Sequence, residues 1–143
     1  MQDNLSGIAR AQILVAEDNV PDVFLVREAL ALSEVEHDLH VVEDGEEALR
    51  FIERADFGNG DAPIPALLLL DLNLPKRTGD EILVGLRQSR TCRDIPVIIM
   101  TSSDSPKDRE EAARLGAVAY FRKPSDLEEF LKLGELVRDI LEK

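Results

Sequence analysis

Five side chains able to bind a cation or a phosphoryl group follow short apolar runs of the sequence. They are Glu17, Asp18, Asp71, Thr101 and Lys123. If these runs are neighbouring strands of one parallel sheet, the side chains meet at a single edge, where open α/β sheets bind their ligands. The sequence therefore predicts a site in which three carboxylates, a hydroxyl group and an ammonium group converge.

The charges of such a site define its chemistry. Three carboxylates within a few ångströms repel one another unless a cation binds or one of them is protonated. An all-oxygen cluster with few protein ligands suits Mg²⁺, which keeps several waters and accepts a phosphate oxygen. The charges of Mg²⁺ and Lys123 together balance those of the three carboxylates. The neutralised pocket can then accept a phosphoryl group.

Each of these residues, taken alone, has a simpler explanation. Asp18 could cap a helix, Thr101 could hold a loop, and Lys123 could lie along the surface. Asp71 is harder to explain in this way, because it follows four leucines and does not stand at a helix start. The occurrence of all these features at predicted strand ends favours a functional site.

The elements that would position these residues alternate along the chain. Five segments fit strands: apolar runs at residues 13–16, 66–70, 97–100 and 118–121, and an alternating segment at 39–43. Helix-start signals follow them at Pro21, Asp44, Gly79, Ser105 and Ser125. This alternation predicts an α/β protein of the (βα)5 type with a doubly wound, parallel, five-stranded sheet. We expect one domain over residues 1–143, with its core at about 12–142 and no output domain.

The composition excludes several classes of function. The 143 residues include 17 basic and 29 acidic ones, for a formal net charge of −12, so we expect no direct nucleic-acid binding. The apolar runs are far shorter than the roughly twenty residues of a membrane span, and residues 1–11 have no apolar stretch, so we expect neither a membrane span nor a secretory signal. Cys92 is the only cysteine, which suits a reducing, cytoplasmic location.

Four segments together resemble the receiver domain of two-component response regulators. They are ILVAEDN at 13–19, LLLDLNLP at 68–75, PVIIMTS at 96–102 and GAVAYFRKP at 116–124. The resemblance spans nearly the whole chain. It implies a flavodoxin-like fold with strand order 2-1-3-4-5, a sensor histidine kinase as partner, and a signalling role rather than that of an ordinary enzyme.

The resemblance also implies a role for each acidic residue. Asp71 resembles the phosphoacceptor, which takes the phosphoryl group from a phosphohistidine of the kinase. Asp18 resembles the direct magnesium ligand, and Glu17 resembles the carboxylate that holds a metal-bound water. Asn73 resembles the residue whose backbone carbonyl completes the metal shell.

Three more residues resemble the parts of the receiver that respond to the phosphoryl group. Lys123 resembles the lysine that pairs with the phosphoryl oxygens, and its bond to Pro124 is expected to be cis. Thr101 and Tyr120 resemble the switch pair, in which the hydroxyl group moves to the phosphate and the ring turns inward. The switch is expected to alter the surface formed by the fourth helix, the fifth strand and the fifth helix.

The last predicted helix has more apolar residues than one core-facing stripe requires. At 100° intervals the core-facing residues are Leu127, Phe130, Leu131, Gly134, Val137 and Leu141. Leu133, Leu136 and Ile140 widen the apolar arc to about 220°. We predict a homodimer contact at this wider arc, with a broader core contact as the alternative.

Some features resemble the regulators that accompany phytochrome-type kinases, including bacteriophytochromes. They are the long loop at 57–65 and the LNLPK run at 72–76, together with the expectation that no output domain is present. This resemblance predicts a kinase of that type as the partner.

Three other functions compete with a receiver. A haloacid-dehalogenase-like phosphohydrolase places its nucleophile after the first strand and needs a second aspartate two positions later, where this chain has Asn73. A nucleotide- or flavin-binding module needs a glycine-rich loop, but residues 17–19 supply carboxylates and an amide. A phosphorylation-independent scaffold of the same fold would usually lose the site residues, which are present here.

Overall fold

A parallel, five-stranded sheet lies at the centre of the protein, as the alternating pattern predicts. The computed structural model describes residues 10–58, 62–103 and 105–142. The strands are β1 (Ala11–Ala16), β2 (His37–Val42), β3 (Leu67–Asp71), β4 (Val97–Thr101) and β5 (Ala119–Arg122). Their order is β2-β1-β3-β4-β5, and every neighbouring pair is parallel. The predicted fold class and strand order are therefore confirmed.

Helices cover both faces of this sheet. They are α1 (Val20–Leu32), α2 (Gly45–Phe57), α3 (Gly79–Arg87), α4 (Pro106–Arg114), α5 (Leu127–Leu131) and α6 (Leu133–Leu141). All five residues of β3 are buried, as expected for a central strand covered on both sides. Leu68 and Leu70 pack into the cluster with α2 and α3, whereas Leu67 and Leu69 pack into the cluster with α1, α5 and α6.

The strand register brings the predicted site residues together. Ala16 of β1 pairs with Leu70 of β3, so Glu17 and Asp71, the residues that follow these two in the chain, come side by side. Asp71 in turn pairs with Met100 of β4, one residue before Thr101. The ends of β1, β3 and β4 thus lie in step at one edge of the sheet.

Helix starts agree with the sequence at α2 and differ at α4. Asp44 caps α2, where its side chain accepts a hydrogen bond of 2.8 Å from the Glu47 backbone N–H. Ser105 stands at the cap position of α4 but makes no side-chain capping bond. The hydroxyl of Ser103 instead donates to Asp108 Oδ2 at 2.7 Å. It also accepts from the Ser105 backbone N–H.

The prediction of one continuous last helix is wrong. Part of the predicted core-facing stripe of that helix is wrong as well. The helix divides into α5 and α6 at Lys132, whose backbone N–H donates to the Glu129 carbonyl three residues earlier and so tightens the turn. Leu133 is fully buried, whereas Leu127 is 55% exposed. In this conformation Leu133 belongs to the core of the chain and is not available to a second copy. Leu136 and Ile140 pack partly buried against the same core cluster.

Candidate functional site

Three acidic side chains meet where the sequence places them, at the carboxyl edge of the sheet. Glu17 follows β1 and is fully buried, Asp71 ends β3 and is nearly buried, and Asp18 is exposed. One oxygen from each of these three carboxylates lies within 4.8 Å of the other two. The predicted convergence of three carboxylates is therefore confirmed.

Lys123 follows β5 directly and reaches the same cluster. Its backbone N–H donates to the Thr101 carbonyl at 2.7 Å, which holds the residue beside the end of β4. Its ammonium nitrogen lies 2.6 Å from Glu17 Oε1 and 2.9 Å from Asp71 Oδ2. The predicted ammonium group is thus in direct contact with two of the predicted carboxylates.

A fourth carboxylate, Asp22, also contacts Lys123 and was not predicted from the sequence. Asp22 Oδ2 accepts a hydrogen bond of 2.8 Å from the Lys123 ammonium, across 101 residues of sequence. Asp22 lies in the first turn of α1, where an acidic residue is common because of the helix dipole. The sequence feature that could have pointed to Asp22 is its position: it lies one turn after the Glu17–Asp18 pair, on a helix that starts at the same edge of the sheet.

Burial and charge shift the pKa values of the two innermost groups. Burial raises the pKa of Glu17 to about 7; the neighbouring Asp71 adds to this shift and Lys123 opposes it. Burial alone would lower the pKa of Lys123, but the carboxylates of Asp22, Glu17 and Asp71 outweigh it and raise that pKa. Lys123 therefore stays charged, and Glu17 takes up a proton far more readily than an exposed glutamate.

The donor set of this cluster fits a hard divalent cation. Glu17 Oε1 is buried and accepts no hydrogen bond from the described residues, although Lys123 lies beside it. Two other carboxylate oxygens are oriented by backbone N–H groups: Asp71 Oδ1 accepts from the Asn73 N–H at 2.9 Å, and Glu17 Oε2 accepts from the Asn19 N–H at 3.1 Å. Oxygen-rich clusters of this kind suit Mg²⁺ or Mn²⁺.

Thr101 and Tyr120 both contact Ser103, in the loop between β4 and α4. Thr101 is fully buried, and its hydroxyl oxygen accepts from the Ser103 backbone N–H at 3.1 Å. The Tyr120 hydroxyl donates to the Ser103 carbonyl at 3.0 Å, and the guanidinium of Arg109 lies 4.4 Å from the centre of the Tyr120 ring. The two predicted switch residues are therefore linked through one loop residue.

The expected cis bond between Lys123 and Pro124 is wrong for this structure. The described residues contain no cis peptide bond. The trans form is also the one that bonds preceding proline favour, by about 0.5–1 kcal/mol.

The fold and the acidic site define the class of protein to which this chain belongs. Residues 13–134 match the family described as "Response regulator receiver domain", and the chain is a member of that family. Among the described residues, no helix is long and apolar enough to cross a membrane.

Its relatives include regulators linked to phytochromes. The chain is 35% identical over 122 residues to "Response regulator Rcp1" of Synechocystis sp., covering 85% of this chain and 82% of that protein. It superposes on the phosphorylated cyanobacterial phytochrome response regulator RcpA with a TM-score of 0.83, 32% identity and coverage of 94% and 96%. The Mn²⁺-bound form of Rcp1 gives a TM-score of 0.78 at 32% identity, with coverage of 90% and 92%.

Proposed function

We propose that Asp71 accepts a phosphoryl group from a phosphohistidine of a sensor histidine kinase, in a reaction that requires Mg²⁺. The main support is the position of Asp71, a buried carboxylate. Its Oδ2 lies 2.9 Å from the Lys123 ammonium, and one of its oxygens lies within 4.8 Å of an oxygen of Glu17 and of Asp18. Receiver-family membership of residues 13–134 supports the same reaction class.

The transfer needs one nucleophile and several fixed charges. A carboxylate oxygen of Asp71 attacks the phosphorus, a P–O bond forms, the P–N bond to the histidine breaks, and the ring nitrogen keeps the electron pair. Asp18, Asp71, the Asn73 carbonyl and, through water, Glu17 would hold the magnesium ion, which when bound neutralises charge on the phosphoryl oxygens. The Lys123 ammonium would pair with the same phosphoryl oxygens. Such transfers depend mainly on positioning and charge neutralisation.

The switch follows from the contacts at Ser103. A phosphoryl group on Asp71 offers new acceptor oxygens to the Thr101 hydroxyl. When Thr101 turns towards them, its oxygen no longer accepts from the Ser103 N–H. The loop that also holds the Tyr120 hydroxyl then moves, and the Tyr120 ring turns inward. The surface of α4, β5, α5 and α6 changes and transmits the signal.

The partner that best fits this chain is a phytochrome-type histidine kinase in the cytoplasm. The support is the similarity to RcpA, a cyanobacterial phytochrome response regulator, over 94% of this chain. We also propose that the chain forms a homodimer through the face of α4, β5 and α6, where Leu136 and Ile140 remain partly accessible.

Replacement of the phosphoacceptor tests the central proposal. We expect Asp71→Asn to remove labelling by radioactive acetyl phosphate in the presence of Mg²⁺, because an amide cannot form the acyl phosphate. Asp94→Asn is the matched control, since Asp94 is exposed and lies outside the acidic cluster; it should label at the rate of the unaltered protein. Undiminished labelling of Asp71→Asn would contradict the assignment of Asp71.

A turnover assay on the unaltered protein distinguishes a receiver from a phosphohydrolase. Asn73 occupies the position at which the phosphohydrolase needs its general acid, and an amide does not supply a proton. We therefore expect one phosphoryl group per chain and slow release. Many turnovers of p-nitrophenyl phosphate at ordinary enzyme rates would favour the phosphohydrolase instead.

A further inference from the structure

We propose that Asp22 is a positioning residue for phosphoryl transfer, which holds the Lys123 ammonium beside Asp71. This inference rests on the proposed function and adds a residue to its machinery. Asp22 lies outside the three-carboxylate cluster of Glu17, Asp18 and Asp71, yet it contacts the one ammonium group of that site.

The first argument is the geometry around the ammonium nitrogen. Lys123 donates hydrogen bonds to Asp22 at 2.8 Å and to Asp71 at 2.9 Å, and it lies 2.6 Å from Glu17. The Lys123 side chain is only 11% exposed and that of Asp22 is 22% exposed. Solvent therefore screens this pair much less than it screens a surface ion pair.

The second argument is that the other two contacts of Lys123 are shared with the cation site. Glu17 and Asp71 both belong to the carboxylate cluster that could hold a divalent ion. When their oxygens turn to a cation or to the phosphoryl group, Asp22 is the one of the three carboxylates that still accepts from Lys123. A lysine on a flexible four-carbon stem needs such a fixed partner to keep its position.

The third argument is that Asp22 is itself held firmly. The Asn19 side chain caps α1 by accepting from the Asp22 N–H at 2.9 Å, and Pro21 precedes Asp22 in the first turn. Further along the helix, Val26, Ala29 and Leu30 are fully buried. The carboxylate therefore projects from a packed helix rather than from a loop.

A restraining role for Asp22, in which it keeps Lys123 away from the phosphoryl group, fits the geometry less well. Lys123 contacts Asp22 and Asp71 at the same time. The bond to Asp22 therefore does not remove the ammonium from the reacting carboxylate.

The test compares labelling rates at saturating Mg²⁺ with acetyl phosphate as the donor. We expect Asp22→Asn to slow labelling about tenfold, because the amide oxygen still accepts from Lys123 but lacks the negative charge that strengthens this hydrogen bond. Glu28→Gln is the matched control, because it removes one charge from an exposed residue of the same helix; it should label normally. An unchanged or faster rate for Asp22→Asn would overturn the inference.

A double-mutant cycle separates positioning from a general effect on folding or charge. In a Lys123→Met background, Asp22→Asn should change the slow residual rate by less than twofold, because the lysine it positions is absent. A further tenfold loss in that background would overturn the inference. If the unaltered protein is not labelled at all, the proposed function itself is contradicted. Failure of the proposed function and failure of the Asp22 inference are therefore distinguishable.

Discussion

Lys123 and a divalent cation draw on the same oxygen atoms. Glu17 and Asp71 contact the Lys123 ammonium, and they also belong to the cluster that could hold a metal ion. In the cation-free protein the single ammonium offsets only part of the negative charge of these carboxylates and so weakens their repulsion. Cation binding must therefore change the contacts of Lys123, and the protonation of Glu17 enters the same balance.

The raised pKa of Glu17 predicts that Mg²⁺ binds more tightly at pH 8 than at pH 6. Burial first, and Asp71 second, raise this pKa from 4.5 to about 7. Protonated Glu17 therefore contributes to the stability of the cation-free fold. This contribution is fully present below pH 4.5 and is lost as the pH rises through about 7. Because Mg²⁺ needs the ionised carboxylate, we expect its apparent Kd to fall about tenfold between pH 6 and pH 8. Thermal unfolding over a Mg²⁺ titration measures this change.

Glu17→Gln provides the control for that prediction. Its amide does not titrate, so Mg²⁺ should bind this variant more weakly but with little difference between the two pH values. Equal affinities at pH 6 and pH 8 in the unaltered protein would contradict the prediction.

At the scale of single residues, the strand-end argument predicts most of this site. Glu17, Asp71, Thr101 and Lys123 lie at one edge because parallel strands end in step. Asp22 could not be found in this way, since its contact with Lys123 joins residues 101 positions apart and depends on how α1 packs.

The packing of α6 on α1 depends on a glycine. A Cβ atom at Gly134 would lie far inside van der Waals contact of the Ala29 backbone carbonyl oxygen, and that oxygen cannot move without shifting α1. The missing side chain therefore sets the distance between two helices that cover the same face of the sheet.

Gly134→Ala should consequently destabilise the protein. Overpacking in a core costs about 1–3 kcal/mol, and the better helix propensity of alanine returns at most about 1 kcal/mol. We expect a net loss of roughly 1–2 kcal/mol in the free energy of unfolding, measured by urea denaturation. Gly85→Ala, within α3, is the matched control: its Cβ would meet only the methyl end of Leu49, which can move. Equal stability of the two variants would contradict this account.

The elements differ in how far local sequence determines them. Asp44 caps α2 as predicted, because its capping bond is made within four residues. The sequence predicts a continuous last helix, since Lys132, where the helix breaks, is neither proline nor glycine. Leu133 and Phe130 are both buried, as residues three apart on one helix face can be, whereas Leu127, also on the predicted core-facing stripe, is 55% exposed. Tertiary packing here overrides the regular 100° spacing.

At the scale of the whole molecule, surface charge opposes self-association. A formal net charge of −12 makes two copies repel each other, so any dimer must bury enough apolar surface to overcome this repulsion. The burial of Leu133 within the chain reduces the area that α6 can offer. A dimer would therefore depend on Leu136 and Ile140, together with neighbouring residues of α4 and β5.

The proposed homodimer predicts a clear dependence on salt and on one side chain. We expect sedimentation equilibrium to show dimers whose dissociation constant falls as salt screens the like charges. Ile140→Gln should weaken association, because Ile140 is partly accessible on α6. Val84→Gln, on the exposed side of α3, should leave it unchanged. A chain that stays monomeric at high salt, with and without beryllofluoride bound at Asp71, would rule out the dimer and leave the broad apolar arc as a core contact alone.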